Sequence, residues 1–196
     1  MQNFKIPANT PAYVGGSRSL VASSPAGRAV AQFSQAVTAT NLLHVGCATG
    51  GDKIAIQNAH QTALKIFAQF APSGQGAISS SATNTVKNAA LCRVPVQFLA
   101  GGALSVPVRV RLIKRSIAAF SGCGVAVFFA PGAGSLSVAR HALKAGIPVL
   151  VWQSNTSIHQ KLYSPPIIGA KNAYGQNVRF LGLNFWLYEP KQKPLF

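Results

Sequence analysis

Short apolar runs alternate with longer amphipathic stretches along this chain. Ala12-Tyr13-Val14 opens a strand over residues 12–16, behind an extended leader (residues 1–11) that carries Pro7 and Pro11. Pro25 suits the first turn of a helix running to about Val37, and Thr40-Asn41 breaks it. Residues 42–45 form a second strand. Residues 52–60 place Ile54, Ala55, Asn58 and Ala59 at helical spacing, and residues 64–70 form a third strand. Residues 72–85, rich in Gly, Ser, Ala and Thr, predict a surface loop able to cover a ligand, with a short helix over 84–91 and a strand over 95–99 before Gly101-Gly102. Pro107 opens a helix with Val108, Leu112, Ile113, Ile117 and Phe120 as its apolar face. Arg109, Arg111, Lys114 and Arg115 fill much of the rest, and Gly122-Cys123-Gly124 stops it.

Val125-Ala126-Val127-Phe128-Phe129 is a continuous apolar run, the mark of a parallel strand buried on both faces. Ser135 caps a helix through Lys144, Gly146 ends it, and residues 147–152 form another buried strand. This alternation predicts an α/β fold: a doubly wound, mostly parallel sheet with helices on both faces. Residues 12–152 read as one domain. Residues 153–196 form an aromatic C-terminal extension packed on it, with Pro165-Pro166, Phe180, Phe185, Trp186, Tyr188 and a basic tail, Lys191-Gln192-Lys193-Pro194. Within it, residues 178–187 either add a strand or pack as an appendage.

Three glycine-rich turns follow apolar runs: Gly15-Gly16-Ser17-Arg18, then Gly46-Cys47-Ala48-Thr49-Gly50-Gly51-Asp52, then Pro131-Gly132-Ala133-Gly134-Ser135. A glycine turn between strand and helix lets backbone N–H groups approach a ligand, and the helix N-terminus behind it favours negative charge. Three of them predict a shared anion or nucleotide crevice at the carboxyl ends of parallel strands.

Charge sharpens that expectation. The chain has 18 Lys and Arg against two acids, Asp52 and Glu189, for a net charge of +16. Such a balance favours polyanions, although the basic residues are dispersed, as a compositional habit of a genome would also leave them. Two acids far apart argue against a carboxylate-caged magnesium, a two-metal nuclease and a paired-carboxylate glycosidase. Cys47, Cys92 and Cys123 form no CxxC pair, and His44, His60, His141 and His159 show no metal spacing, so neither a metal nor a cofactor is expected. No apolar stretch approaches the roughly 20 residues of a membrane span, and residues 1–5 lack a signal-peptide core; the expected location is cytoplasmic.

Individual residues carry competing readings. Arg18 can hold a phosphate bidentately or sit solvated in its loop, and Ser17 can donate to the same phosphate or serve turn chemistry. Asp52 can cap its helix, as can Thr49, or contact a ribose or base. Gly132, Ala133, Gly134 and Ser135 can present N–H groups and a hydroxyl to an anion, with Arg115 reaching across from the preceding helix or lying on a solvated face. Cys47 beside a helix N-terminus is either a reactive thiol or a small turn residue, and Trp186 either stacks on bases or closes a core.

In order, Val14-Gly15-Gly16-Ser17-Arg18, Val45-Gly46-Cys47-Ala48-Thr49-Gly50-Gly51-Asp52 with Ala55 and Ala59, and Arg115 before Phe128-Phe129-Ala130-Pro131-Gly132-Ala133-Gly134-Ser135 resemble the SLOG superfamily of Rossmann-like nucleotide-binding domains. Its members include the DNA-processing Smf/DprA proteins, the LOG phosphoribohydrolases and YpsA-related families. The resemblance covers residues 12–152, and the middle turn is nearest the YpsA-related and DNA-processing branches. It implies binding or sensing of a nucleotide or nucleotide-derived ligand at Gly15, Gly16, Ser17, Arg18, Gly46, Thr49, Gly50, Gly51, Asp52, Arg115, Gly132, Ala133, Gly134 and Ser135. The alternative it implies is a single-stranded DNA-binding protein of the DNA-processing kind, and pairing into a homo-oligomer fits the group. LOG enzymes carry an essential glutamate a few residues after their third turn. Gly134-Ser135-Leu136-Ser137-Val138-Ala139-Arg140 contains no acid, so the resemblance points away from hydrolysis and leaves catalytic residues unassigned.

Overall fold

The computed structural model describes residues 2–7, 9–99, 106–153, 156–162 and 175–190. Gly101-Gly102, Pro165-Pro166 and the basic tail lie outside the described residues. The strands are β1 (Gln2–Asn3), β2 (Ala12–Gly16), β3 (Leu43–Val45), β4 (Leu64–Ala68), β5 (Val96–Phe98), β6 (Val125–Phe129), β7 (Val149–Trp152), β8 (Gln176–Phe180) and β9 (Leu183–Tyr188). They form one sheet in the order β1-β8-β9-β7-β6-β2-β3-β4-β5. From β7 to β5 every neighbouring pair is parallel; β9 runs antiparallel to both β7 and β8. The helices are α1 (Pro25–Thr38), α2 (Gly51–Asn58), α3 (Ser80–Leu91), α4 (Val108–Phe120), α5 (Ala133–Lys144) and α6 (Thr156–Leu162).

The central strand shows how sequence makes the layers. All five residues of β6 are buried, and successive side chains point to opposite faces. Val125, Val127 and Phe129 join one apolar cluster with Val30 and Phe33 of α1, Ile54 of α2 and Val86 of α3. Ala126 and Phe128 join another with Phe120 of α4, Leu136 and Ala139 of α5 and Leu162 of α6. Helices therefore cover both faces, as expected. In α1, Ser24 Oγ accepts from Gly27 N at 3.0 Å with Pro25 at the helix start, which satisfies one of the otherwise unpaired N-terminal donors.

Two expectations change, and the open reading of residues 178–187 falls to the strand. The Ser- and Ala-rich stretch is helical from Ser80, four residues before the predicted start, because Ser79 Oγ caps Ala82 N at 3.2 Å and Ala82, Val86 and Ala89 pack inward. The remaining loop is tied by Gly74 N to Ala71 O (2.8 Å) and by Arg111 Nη1 to Gly76 O (2.7 Å). Residues 178–187 belong to a β8–β9 hairpin that extends the sheet, with Phe180, Phe185 and Tyr188 buried. Part of the leader pairs as β1 with β8, and Phe4 stacks edge-on against Phe180.

The predicted apolar face of α4 holds at Phe120, with Leu112 and Ile113 half-buried, and fails at its other two positions. Val108 and Ile117 are each 39% exposed, whereas Arg115 (6%), Ser116 (1%) and Ala119 (0%) are buried beside Phe120. The buried Arg115 is paired with Asp52.

Candidate functional site: a crevice at the switch point

The chain runs outward from β2 through β3, β4 and β5, then crosses back to β6 and β7 on the other side of β2. The loops after β2 and β6 therefore diverge, and an open α/β sheet has its natural crevice at that point. A crevice of about 780 Å³ lies there, within the size range of small-molecule sites. Gly15, Gly16, Ser17 and Arg18 from the first turn meet Gly132, Ala133, Gly134 and Ser135 from the third along its rim. Leu112, Ile113, Phe128 and Val138 supply apolar wall, and Tyr13, Asp52, Arg115 and Ser116 also line it.

The polar floor is a connected network. Arg115 Nη1 donates to Asp52 Oδ2 at 3.1 Å, and the side chains are only 7% and 5% exposed. Asp52 Oδ2 also accepts from Ala48 N at 2.9 Å. Arg115 Nη2 donates to Ser116 Oγ at 3.0 Å, and Tyr13 Oη donates to the same oxygen at 3.4 Å. Arg115 Nε is buried with no hydrogen-bond partner among the described residues. Burial works against the Arg115 charge, but Asp52, Tyr13 and Cys47 together outweigh it and hold the guanidinium above its ordinary pKa. Burial pushes the Tyr13 hydroxyl up, with Arg115 opposing it. One of the chain's two acids is thus consumed internally, and the other, Glu189, is exposed.

The second turn stands behind this floor. A Cβ on Gly46 would overlap Arg115 Nη1 and Asp52 Oδ2, so the pair requires glycine there. Gly50 has φ +68°, and a Cβ on it would overlap Ser17 O. Gly51 N donates to Ser17 O at 3.1 Å, and Thr49 Oγ1 donates to Arg18 O at 3.1 Å. Gly46, Thr49, Gly50 and Gly51 therefore do not line the crevice; they brace the turn that does. Neither predicted side-chain cap forms on α2, whose N-cap is Gly50. Thr49 spends its hydroxyl on Arg18, and Asp52 spends one oxygen on Ala48 and Arg115.

The third turn is different. Ser135 does not cap α5: the N-cap is Gly132, with no side-chain hydrogen bond. Ser135 Oγ instead donates to Gly16 O at 3.0 Å, stapling the third turn to the first. Gly132 and Gly134 are exposed, and a Cβ on either would meet no described residue within 4 Å. The first turn of α5 thus faces the crevice, where its N–H groups and helix dipole favour an anion.

Other candidates resolve into packing. Cys47 is buried, donates to Gln69 Oε1, and its thiol is pushed up by burial rather than lowered by the helix. Cys123 is pushed up to about 12 by burial. His44 Nδ1 lies 2.8 Å from Ala119 O, and burial lowers its pKa. His60 precedes a short 3-10 turn rather than lying on a helix, and Trp186 packs edge-on against His159 at 4.7 Å. Sequence reasoning missed Tyr13 and Ser116. Their signal was adjacency: Tyr13 stands two residues before Gly15, and Ser116 follows Arg115.

No family model and no curated protein matches the chain. Solved structures that share its fold include two DNA-processing proteins. DNA processing protein A from Helicobacter pylori, described for its unique single-stranded DNA binding mode, superposes with TM-score 0.62 at 15% identity, over 76% of this chain and 67% of that one. DNA processing protein A (DprA) from Streptococcus pneumoniae gives TM-score 0.61 at 16% identity, over 76% of this chain and 52% of that one. The chain thus spans two thirds of the first protein and about half of the second. At these identities the likeness is one of fold: this chain has the Rossmann-like α/β architecture of the DNA-processing protein structures.

Proposed function

We propose that the protein binds single-stranded nucleic acid, holding a backbone phosphate in the switch-point crevice. The observation that carries this reading is the rim: an α5 N-terminus without a side-chain cap and Arg18 face the same opening, above a buried Arg115 whose Nε has no hydrogen-bond partner among the described residues. N–H groups at a helix start and an arginine fork are the donors a phosphate takes. A net charge of +16 with a single exposed acid adds long-range attraction for a polyanion. The Helicobacter pylori fold neighbour, described as binding single-stranded DNA, supports the choice of ligand class.

A labelled oligonucleotide followed by fluorescence anisotropy tests this. Affinity is expected to fall steeply with salt, by about 0.7 log unit per log unit of salt for each phosphate neutralised. Arg18→Ala should lower the affinity and flatten that dependence. A mononucleotide or nucleotide-derived ligand is the second reading, favoured by the crevice's size and apolar walls. It predicts thermal stabilisation by one small ligand, with oligonucleotides bound no better. A phosphoribohydrolase is disfavoured: Asp52 is the only acid lining the crevice, and it is held by Arg115.

A further inference from the structure

A second opening, of about 560 Å³, lies between α2 and α3, on the sheet face opposite α4 and α5. It is lined by Lys53, Gln57, Gln61, Ser81, Asn84 and Asn88 among others, and no acid lines it. On α3, Ser81, Asn84 and Asn88 follow helical spacing, so they form one stripe facing α2. No side chain of Lys53, Gln57, Gln61, Ser81, Asn84 or Asn88 hydrogen-bonds to any described residue. The groove is thus a row of amide, hydroxyl and ammonium groups that the fold does not use. Its apolar counterpart on α3, made of Ala82, Val86 and Ala89, is what packs in the core.

Consecutive residues in the first turn of α2 line the two openings. Asp52 lines the crevice and Lys53 lines the groove. Consecutive helical side chains diverge by about 100°, so one turn of helix presents one residue to each opening. Amides and hydroxyls serve phosphate, sugar and base edges alike, which suits contact without strong sequence choice.

We infer that the α2–α3 groove is a second contact site for the same strand, so that the ligand is a polynucleotide several nucleotides long rather than a nucleotide or a short end. This rests on the crevice reading and extends it. The test compares a short probe, trithymidylate, with dodecathymidylate, on the wild type and on Lys53→Ala/Asn88→Ala. Both residues are away from the core, and a melting curve checks that the variant is folded.

The wild type should bind the dodecamer more tightly than the trimer. The double variant should lose about fivefold in dodecamer affinity, with the salt dependence reduced by about 0.7, and leave the trimer unaffected. Lys53→Arg/Asn88→Gln should restore dodecamer binding. Equal affinities for the two lengths, or equal effects of the double variant on both, would overturn the groove while leaving the crevice standing. If neither DNA binds the wild type, the crevice reading falls and the groove with it.

Discussion

The second and third glycine turns look alike in sequence and do opposite things in the fold. Gly46 is glycine because a buried arginine and aspartate occupy the space where a side chain would stand. A Cβ on Gly134 would meet no described residue within 4 Å. The second turn is filled by the protein's own ion pair and braces the first turn; the third is open, begins a helix without a side-chain cap and faces a crevice. A glycine-rich turn therefore signals close approach of something, and only the structure tells whether that something is the protein or a ligand.

Variants at the two turns should separate these roles. The largest effect is expected for Asp52→Ala, which leaves the Arg115 charge buried without its counter-ion and should cost about 3–5 kcal/mol in denaturant unfolding. Replacing both partners, Asp52→Ala with Arg115→Met, should recover part of that loss, because no buried charge then remains. Gly46→Ala comes next: its methyl forces the pair apart, at about 1–3 kcal/mol. Gly134→Ala should do the reverse, raising stability by about 0.5–1 kcal/mol, since alanine is the better helix residue and meets no obstacle. A destabilised Gly134→Ala, or an unchanged Gly46→Ala, would collapse the distinction between the turns.

The smallest expected effect concerns pH. Burial lowers the His44 pKa in the fold, so between the folded value and the unfolded one, near 6.5, the unfolded chain binds the extra proton. The stability that neutral His44 contributes is present above about pH 6.5 and is lost as pH falls through the folded value. Chemical denaturation between pH 7 and pH 5 should show this decline, and His44→Gln should flatten it.

The sheet was legible because its signals are local. The all-apolar β6, the Pro25 helix start and the glycine turns at strand ends each declare themselves within a few residues. The burial of Arg115 was not legible, because its cause lies 63 positions away at Asp52. Periodicity alone put Val108 and Ile117 inside, whereas both are exposed and Arg115 is buried against Asp52. The start of α3 hid in a Ser- and Ala-rich stretch that reads equally as loop, and its cap, Ser79, is one serine among several. For the C-terminal segment a strand was one of two readings, but its antiparallel pairing with β7 was not legible, because alternation of apolar runs does not encode direction.

The division between the turns meets its most direct test in oligonucleotide binding by Gly134→Ala, followed by anisotropy at fixed salt alongside its melting temperature. A methyl in the open first turn of α5 should stand where a phosphate would sit. The expected result is a protein that melts higher than the wild type and binds single-stranded DNA more weakly. Unchanged affinity in the stabilised variant would contradict the crevice as the binding site.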